Sequence, residues 1–245
     1  MAVGGSFLAS QLRVGALPCF RVYKESILED VLAGFVNIEQ RADEVAEAAF
    51  KCMGSRPATD NCDGDMSQEA EAAQNEGQLY YDAMYGLRQA SINLLTVGLF
   101  HLLEQQLAKL CYDCNSRNFK LKEANMEGIV LWYGLHFDLN LKTIDKWSTI
   151  DELRLLANAT KHADGSSAKQ LRKRNADLFR HPLLDKIGVA WSLSEEPLRL
   201  PLAGEGLFVT EEMFSEYAAN VHAFVRAIIL HFERNASRGY PCKAR

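Results

Sequence analysis

The feature that most constrains this chain is a helical run with few interruptions, extending from Ser67 to about Cys114. No proline falls inside it, and Leu79, Met84, Leu87, Ile92, Leu95, Leu99, Leu102, Leu103, Leu107 and Leu110 recur at helical spacing. Around SINLLTVGLFHLLEQQL (91–107) the run is apolar on most sides, which predicts a place at the centre of the fold. Gly77, Gly86 and Gly98 each weaken it modestly and suit close helix contacts or bends.

The flanking elements follow from the same periodicity. Ile27, Leu28, Val31, Leu32, Phe35, Ile38, Val45 and Phe50 predict an amphipathic helix over 24–53, ended by the loop composition of GSRPATDNCDGDMS (54–67). A third helix is predicted over Asn118–Leu135. A fourth runs from Thr149, with Thr149 and Glu152 as a capping box, to a stop at Asp164-Gly165. A short helix and a loop follow. Alternation with Pro and Gly turns then predicts a small β-hairpin inserted at 189–209, and Thr210 caps a last helix carrying Met213, Tyr217, Val221, Phe224, Val225, Ile228 and Phe232.

The first 24 residues hold no acidic side chain and are only weakly amphipathic, so residues 1–23 are expected to form a flexible, loosely docked terminus. Residues 236–245 are expected to form a tail. The expectation is therefore a mainly α, single helical domain over 24–235 with a long central helix. No run of about 18 apolar residues predicts a membrane span. A net charge of −5 argues against a globally basic nucleic-acid coat, while leaving room for a local patch. Six scattered cysteines, with a lone C-x-x-C at Cys111 and Cys114, are read as reduced structural thiols in a cytoplasmic setting, and no metal site is expected.

The candidate chemistry lies in TIDELRLLANATKHADG (149–165). At about 100° per residue, Arg154, Asn158, Lys161 and His162 fall within an arc of about 100°, while Leu155, Leu156, Ala159, Thr160 and Ala163 take much of the other side. A guanidinium and an ammonium bind phosphate, an imidazole transfers protons near neutral pH, and an amide orients either. The plain alternative is a solvated helix face. Arg172, Lys173 and Arg174 form a second basic cluster that suits RNA, or is simply an exposed run. Arg174 to His181 offers another Arg–His pair, better read as accidental. His101 and Glu104 lack the matching pair a di-metal bundle needs, and His222 with Arg226 is an ordinary helical neighbour pair.

LRLLANATKHADG, preceded by a long helix and followed by LRKRNADLF, resembles the HEPN-type helical domains of bacteria. Asn158, Lys161 and His162 match an Asn-x-x-Lys-His form of their motif. Ala157 stands where Arg usually precedes the Asn, and Arg154 lies one turn further back. The resemblance implies a helical bundle and a metal-independent endoribonuclease of a toxin or antiphage-defence system, requiring no cofactor. His162 would be the general acid or base, Arg154 and Lys161 the phosphate stabilisers, and Asn158 the positioning group. It further implies RNA as substrate, an antitoxin or defence partner, and a homodimer pairing two motifs. The alternative is a non-catalytic HEPN-like module that binds RNA, nucleotide or a protein.

Overall fold

The computed structural model describes residues 3–54, 66–115, 119–120, 124–182, 198, 206–237 and 239–240. Its helices are α1 (Gly5–Gln11), α2 (Leu17–Ser26), α3 (Ile38–Gly54), α4 (Met66–Asn115), α5 (Met126–Phe137), α6 (Trp147–His162), α7 (Ser166–Arg174) and α8 (Glu211–Arg234). The fold is mainly α, and none of the described helices is long and apolar enough to cross a membrane.

At 50 residues, α4 extends about 75 Å. Its carboxy-terminal half is the axis of the bundle, where Ile92, Leu99, Leu103, Leu107 and Cys111 are essentially sealed from solvent. Helices α2, α5, α6 and α8 all pack on α4. Phe214, Val221, Phe224 and Phe232 of α8 and Ile150, Leu153 and Leu156 of α6 complete the core. The amino-terminal half of α4 forms a hairpin with α3, and Gly77 permits it: a Cβ there would come within 2.8 Å of the Ala42 carbonyl oxygen and 3.0 Å of the Ala46 Cβ. Gly98 serves a second close approach, since a Cβ would overlap the Tyr23 hydroxyl, which donates to the Leu95 carbonyl at 2.7 Å. Gly86 faces open space.

The amino-terminal segment departs from the expectation of a loosely docked terminus. Helix α1, a π-helical turn (Leu12–Ala16), α2, a second π-helical turn (Ile27–Val31) and a 3-10 turn (Leu32–Phe35) follow one another without a break. Leu8, Leu12, Ala16 and Phe20 are buried, and α1 and α2 lie against α8. Pro18, near the start of α2, has no N–H to donate. The turn just before it widens, with the Leu17 N–H reaching back to the Leu12 carbonyl. The single helix expected over 24–53 is two, because the chain breaks at Val36 and Asn37 takes φ 63°, a left-handed conformation that Asn tolerates better than most residues.

The other boundaries follow local chemistry. Helix α5 begins later than expected: Asn125 accepts from the Gly128 N–H at 2.9 Å, and Glu104 of α4 accepts from the Met126 N–H at 2.8 Å. Thr210 caps α8 as expected, accepting from Met213 N–H at 3.2 Å. The loop expected at 54–67 lies almost wholly outside the described residues, as does the hairpin at 189–209, of which Leu198 and residues 206–209 are described. Leu207 and Val209 are held against α4 by Asn93, whose amide donates to the Leu207 carbonyl at 2.8 Å and accepts from the Val209 N–H at 3.2 Å. Part of the expected tail is structured, since Gly239–Tyr240 pairs antiparallel with Val3–Gly4, and Tyr240 is buried edge-on to Phe137 and Phe232.

Two glycine substitutions should therefore shift stability in opposite directions. Gly86→Ala gains helix propensity in open space and is expected to stabilise by up to about 1 kcal/mol. Gly77→Ala must push α3 from α4 and is expected to lower the urea midpoint despite the same propensity gain.

Candidate functional site

Helix α6 buries Ile150, Leu153, Leu155, Leu156, Ala157, Ala159 and Thr160, and its half-buried Asp151, Glu152, Arg154 and Asn158 lie outside that face. It begins at Trp147 after Lys146, which takes φ 71°, and no side chain caps it. The expected capping box is therefore absent. Glu152 is engaged elsewhere, accepting from the Tyr217 hydroxyl of α8 at 2.6 Å and from the Asn175 amide at 3.0 Å. Burial, and then the adjacent Glu152 carboxylate, push the Tyr217 hydroxyl far above its ordinary value, so it remains a donor.

Arg154 is turned back along its own helix. Its guanidinium pairs with Asp151 at 2.8 Å, and Arg174 of α7 reaches the other oxygen of the same carboxylate at 2.9 Å. Arg174 also donates to the Ser148 carbonyl at 3.3 Å. Burial pushes the Asp151 carboxyl up, but the hydrogen bonds and charges of Arg154 and Arg174 outweigh it and hold the group below its usual range. Arg154 thus points away from His162, which lies eight residues on, about 12 Å along the axis. Within one chain the structure does not converge these two groups.

Asn158 is half-buried on the same flank, and Lys161 and His162 are exposed in the last turn of α6. The helix ends at Ala163, held at φ 57° and ψ −141° where Gly was expected two residues later, and α7 begins at Ser166. No side chain caps the first amides of α7. In the basic cluster, Arg172 pairs with Asp164 at 2.7 Å and lies 4.7 Å over the Phe179 ring, whereas Lys173 is exposed. Two of the three residues expected to face RNA are therefore bonded within the fold.

The secondary candidates also resolve into packing. His181 stacks on Tyr85 and meets Phe208 edge-on, with ring centroids at 6.0 and 4.8 Å, while Arg174 is held at Asp151. His101 meets Glu104 at 3.0 Å, and Glu104 serves the start of α5. Burial, with Arg226 nearby, lowers the His222 imidazole. Cys111 and Cys114 are buried thiols, and no group of three or more metal-ligating side chains occurs among the described residues. The residue that a reading of the stripe missed is Asp151. Its i, i+3 spacing from Arg154 was a visible signal, but one upstream of the donors being counted. Comparison with protein-family models, curated proteins and solved structures returned no match.

Two predictions follow from this geometry. Asp151→Asn should cost about 1–2 kcal/mol at neutral pH, because it leaves two guanidinium groups without their counter-charge. The folded carboxyl titrates below the unfolded one, so its contribution is present above the unfolded value and lost as pH falls through the folded value. Urea unfolding across the acid range should show that loss in the wild type and a flatter profile in the variant. Ala163→Gly should stabilise by about 1 kcal/mol in the same assay, by relieving a conformation that Cβ disfavours.

Proposed function

We propose that this chain is a non-catalytic RNA-binding module, HEPN-like in its Asn158-x-x-Lys161-His162 signature, that grips phosphate at the junction of α6 and α7. The observation that carries the reading is charge. Between Lys161 and Arg174 five Lys and Arg side chains stand against one acid, on a chain whose net charge is −5. That acid, Asp164, is paired with Arg172. Lys161, His162 and Lys169 are exposed near the start of α7, whose uncapped amides attract anions, and Lys173 is exposed in its last turn. Binding without cutting is the better fit because Arg154 is bonded to Asp151 rather than set beside His162.

A metal-independent endoribonuclease of a toxin or defence system is the second reading, favoured by the exposure of Lys161 and His162. In that reading the 2′-hydroxyl attacks the adjacent phosphorus, and a homodimer brings a second copy of the motif opposite the first, supplying both an acid and a base. An antitoxin or defence partner would then mask the exposed end of α6.

Fluorescence anisotropy with single-stranded RNA separates the readings. Affinity should fall with salt at a log–log slope of about −0.7 per phosphate contact, hence about −2 for three contacts. The triple variant Lys161→Glu, Lys169→Glu, Lys173→Glu should lose most of that slope and at least about tenfold in affinity. Unchanged binding by the triple variant would rule out this surface. RNA cleavage in EDTA that His162→Ala abolishes would replace the binding module with the nuclease.

A further inference from the structure

Helix α1 and its π-helical turn meet the carboxy-terminal part of α4 around a pocket of about 220 Å³. Leu12, Ala16 and Leu110 form its apolar floor. Ser10, Gln11, Gln106, Lys109 and Asp113 supply its polar wall. Lys109 and Asp113 sit one turn apart on α4, a spacing that commonly gives an ion pair, yet neither pairs with the other or with any described residue. Arg13, the nearest other cation in sequence, is turned to Glu233 of α8. The wall therefore offers one unneutralised cation and one unneutralised anion, with hydroxyl and amide groups between them.

We propose that this pocket binds a free α-amino acid with a small uncharged side chain. Lys109 receives the carboxylate, Asp113 receives the ammonium, and the side chain lies over Leu12, Ala16 and Leu110 with Gln11 or Gln106 at its end. The chemistry excludes the obvious competitors. A phosphate would meet a carboxylate and a single ammonium, and a divalent cation would find one carboxylate where it needs several oxygen ligands. The volume is below the 300–1,000 Å³ or so typical of sites for drug-sized ligands, which excludes a nucleotide. The π-helical turn shapes the mouth, bringing Val14 and Gly15 to the rim, and a Cβ on Gly15 would meet nothing within 4 Å. Turns of this kind are frequent at functional sites, and here Pro18 accounts for it.

Isothermal titration of the full chain with glycine, alanine, serine and glutamine tests the assignment. N-acetyl-serine, lacking the ammonium, and serine amide, lacking the carboxylate, serve as controls on the unaltered protein. A saturable heat is expected for at least one zwitterion, weakened at least about tenfold for both blocked forms. Lys109→Met and Asp113→Asn, at exposed positions, should each reproduce that loss while keeping the wild-type Tm. Absence of binding by every zwitterion at millimolar concentration overturns the proposal. So does equal binding of the blocked forms, or unaltered affinity in either folded variant.

Discussion

A long helix that is apolar on most sides has to be covered on most sides, and that requirement organises this molecule. The stretch of α4 from Ile92 to Cys111 exposes one strip, carrying Leu94, His101, Gln105 and Lys109, and α2, α5, α6 and α8 are arranged around its apolar remainder. Two polar side chains of α4 inside this contact, Asn93 and Thr96, are bonded. Thr96 donates to the Ile92 carbonyl, and Asn93 joins the extended backbone at Leu207 and Val209 as another strand would. Where α4 leaves the bundle its surface changes, and Ala42, Ala46 and Gly77 let α3 approach closely enough to shelter it.

The polar flank of α6 follows from the same arrangement. Because α6 buries one side on α4, its other groups meet α7 and α8, and most of them serve as a joint. Asp151 ties α6 to α7 through Arg174, and Glu152 ties α6 to α8 through Tyr217. Only at the end of the helix, past the reach of α8's polar groups, do cations stand without acids. A charged stripe that looks uniform along the sequence thus divides into a bonded half and an exposed half.

What the sequence made legible, and what it hid, follows from the range of the interactions involved. The bounds of α4 and the start of α8 were readable within a residue or two because they rest on periodicity and, for α8, on the Thr210 cap, whereas α6 begins three residues before a Thr149 cap would start it. The break at Asn37 left no mark in the hydrophobic pattern, which continues across it at helical spacing. The docking of residues 5–26 depends on α8, some two hundred positions away, and no local pattern encodes that contact. At the candidate site the direction of Arg154 was half legible, since Asp151 is a helical neighbour. The second hold on that carboxylate, by Arg174, comes from another helix.

The pairing of the first helices with the last has a consequence for synthesis. Leu8, Leu12, Ala16 and Phe20 leave the ribosome some two hundred residues ahead of α8, against which they settle. Until α8 is made, this segment lacks a large part of the native surface that covers it. In that interval it is open to holdase chaperones and to premature association between neighbouring chains on a polysome.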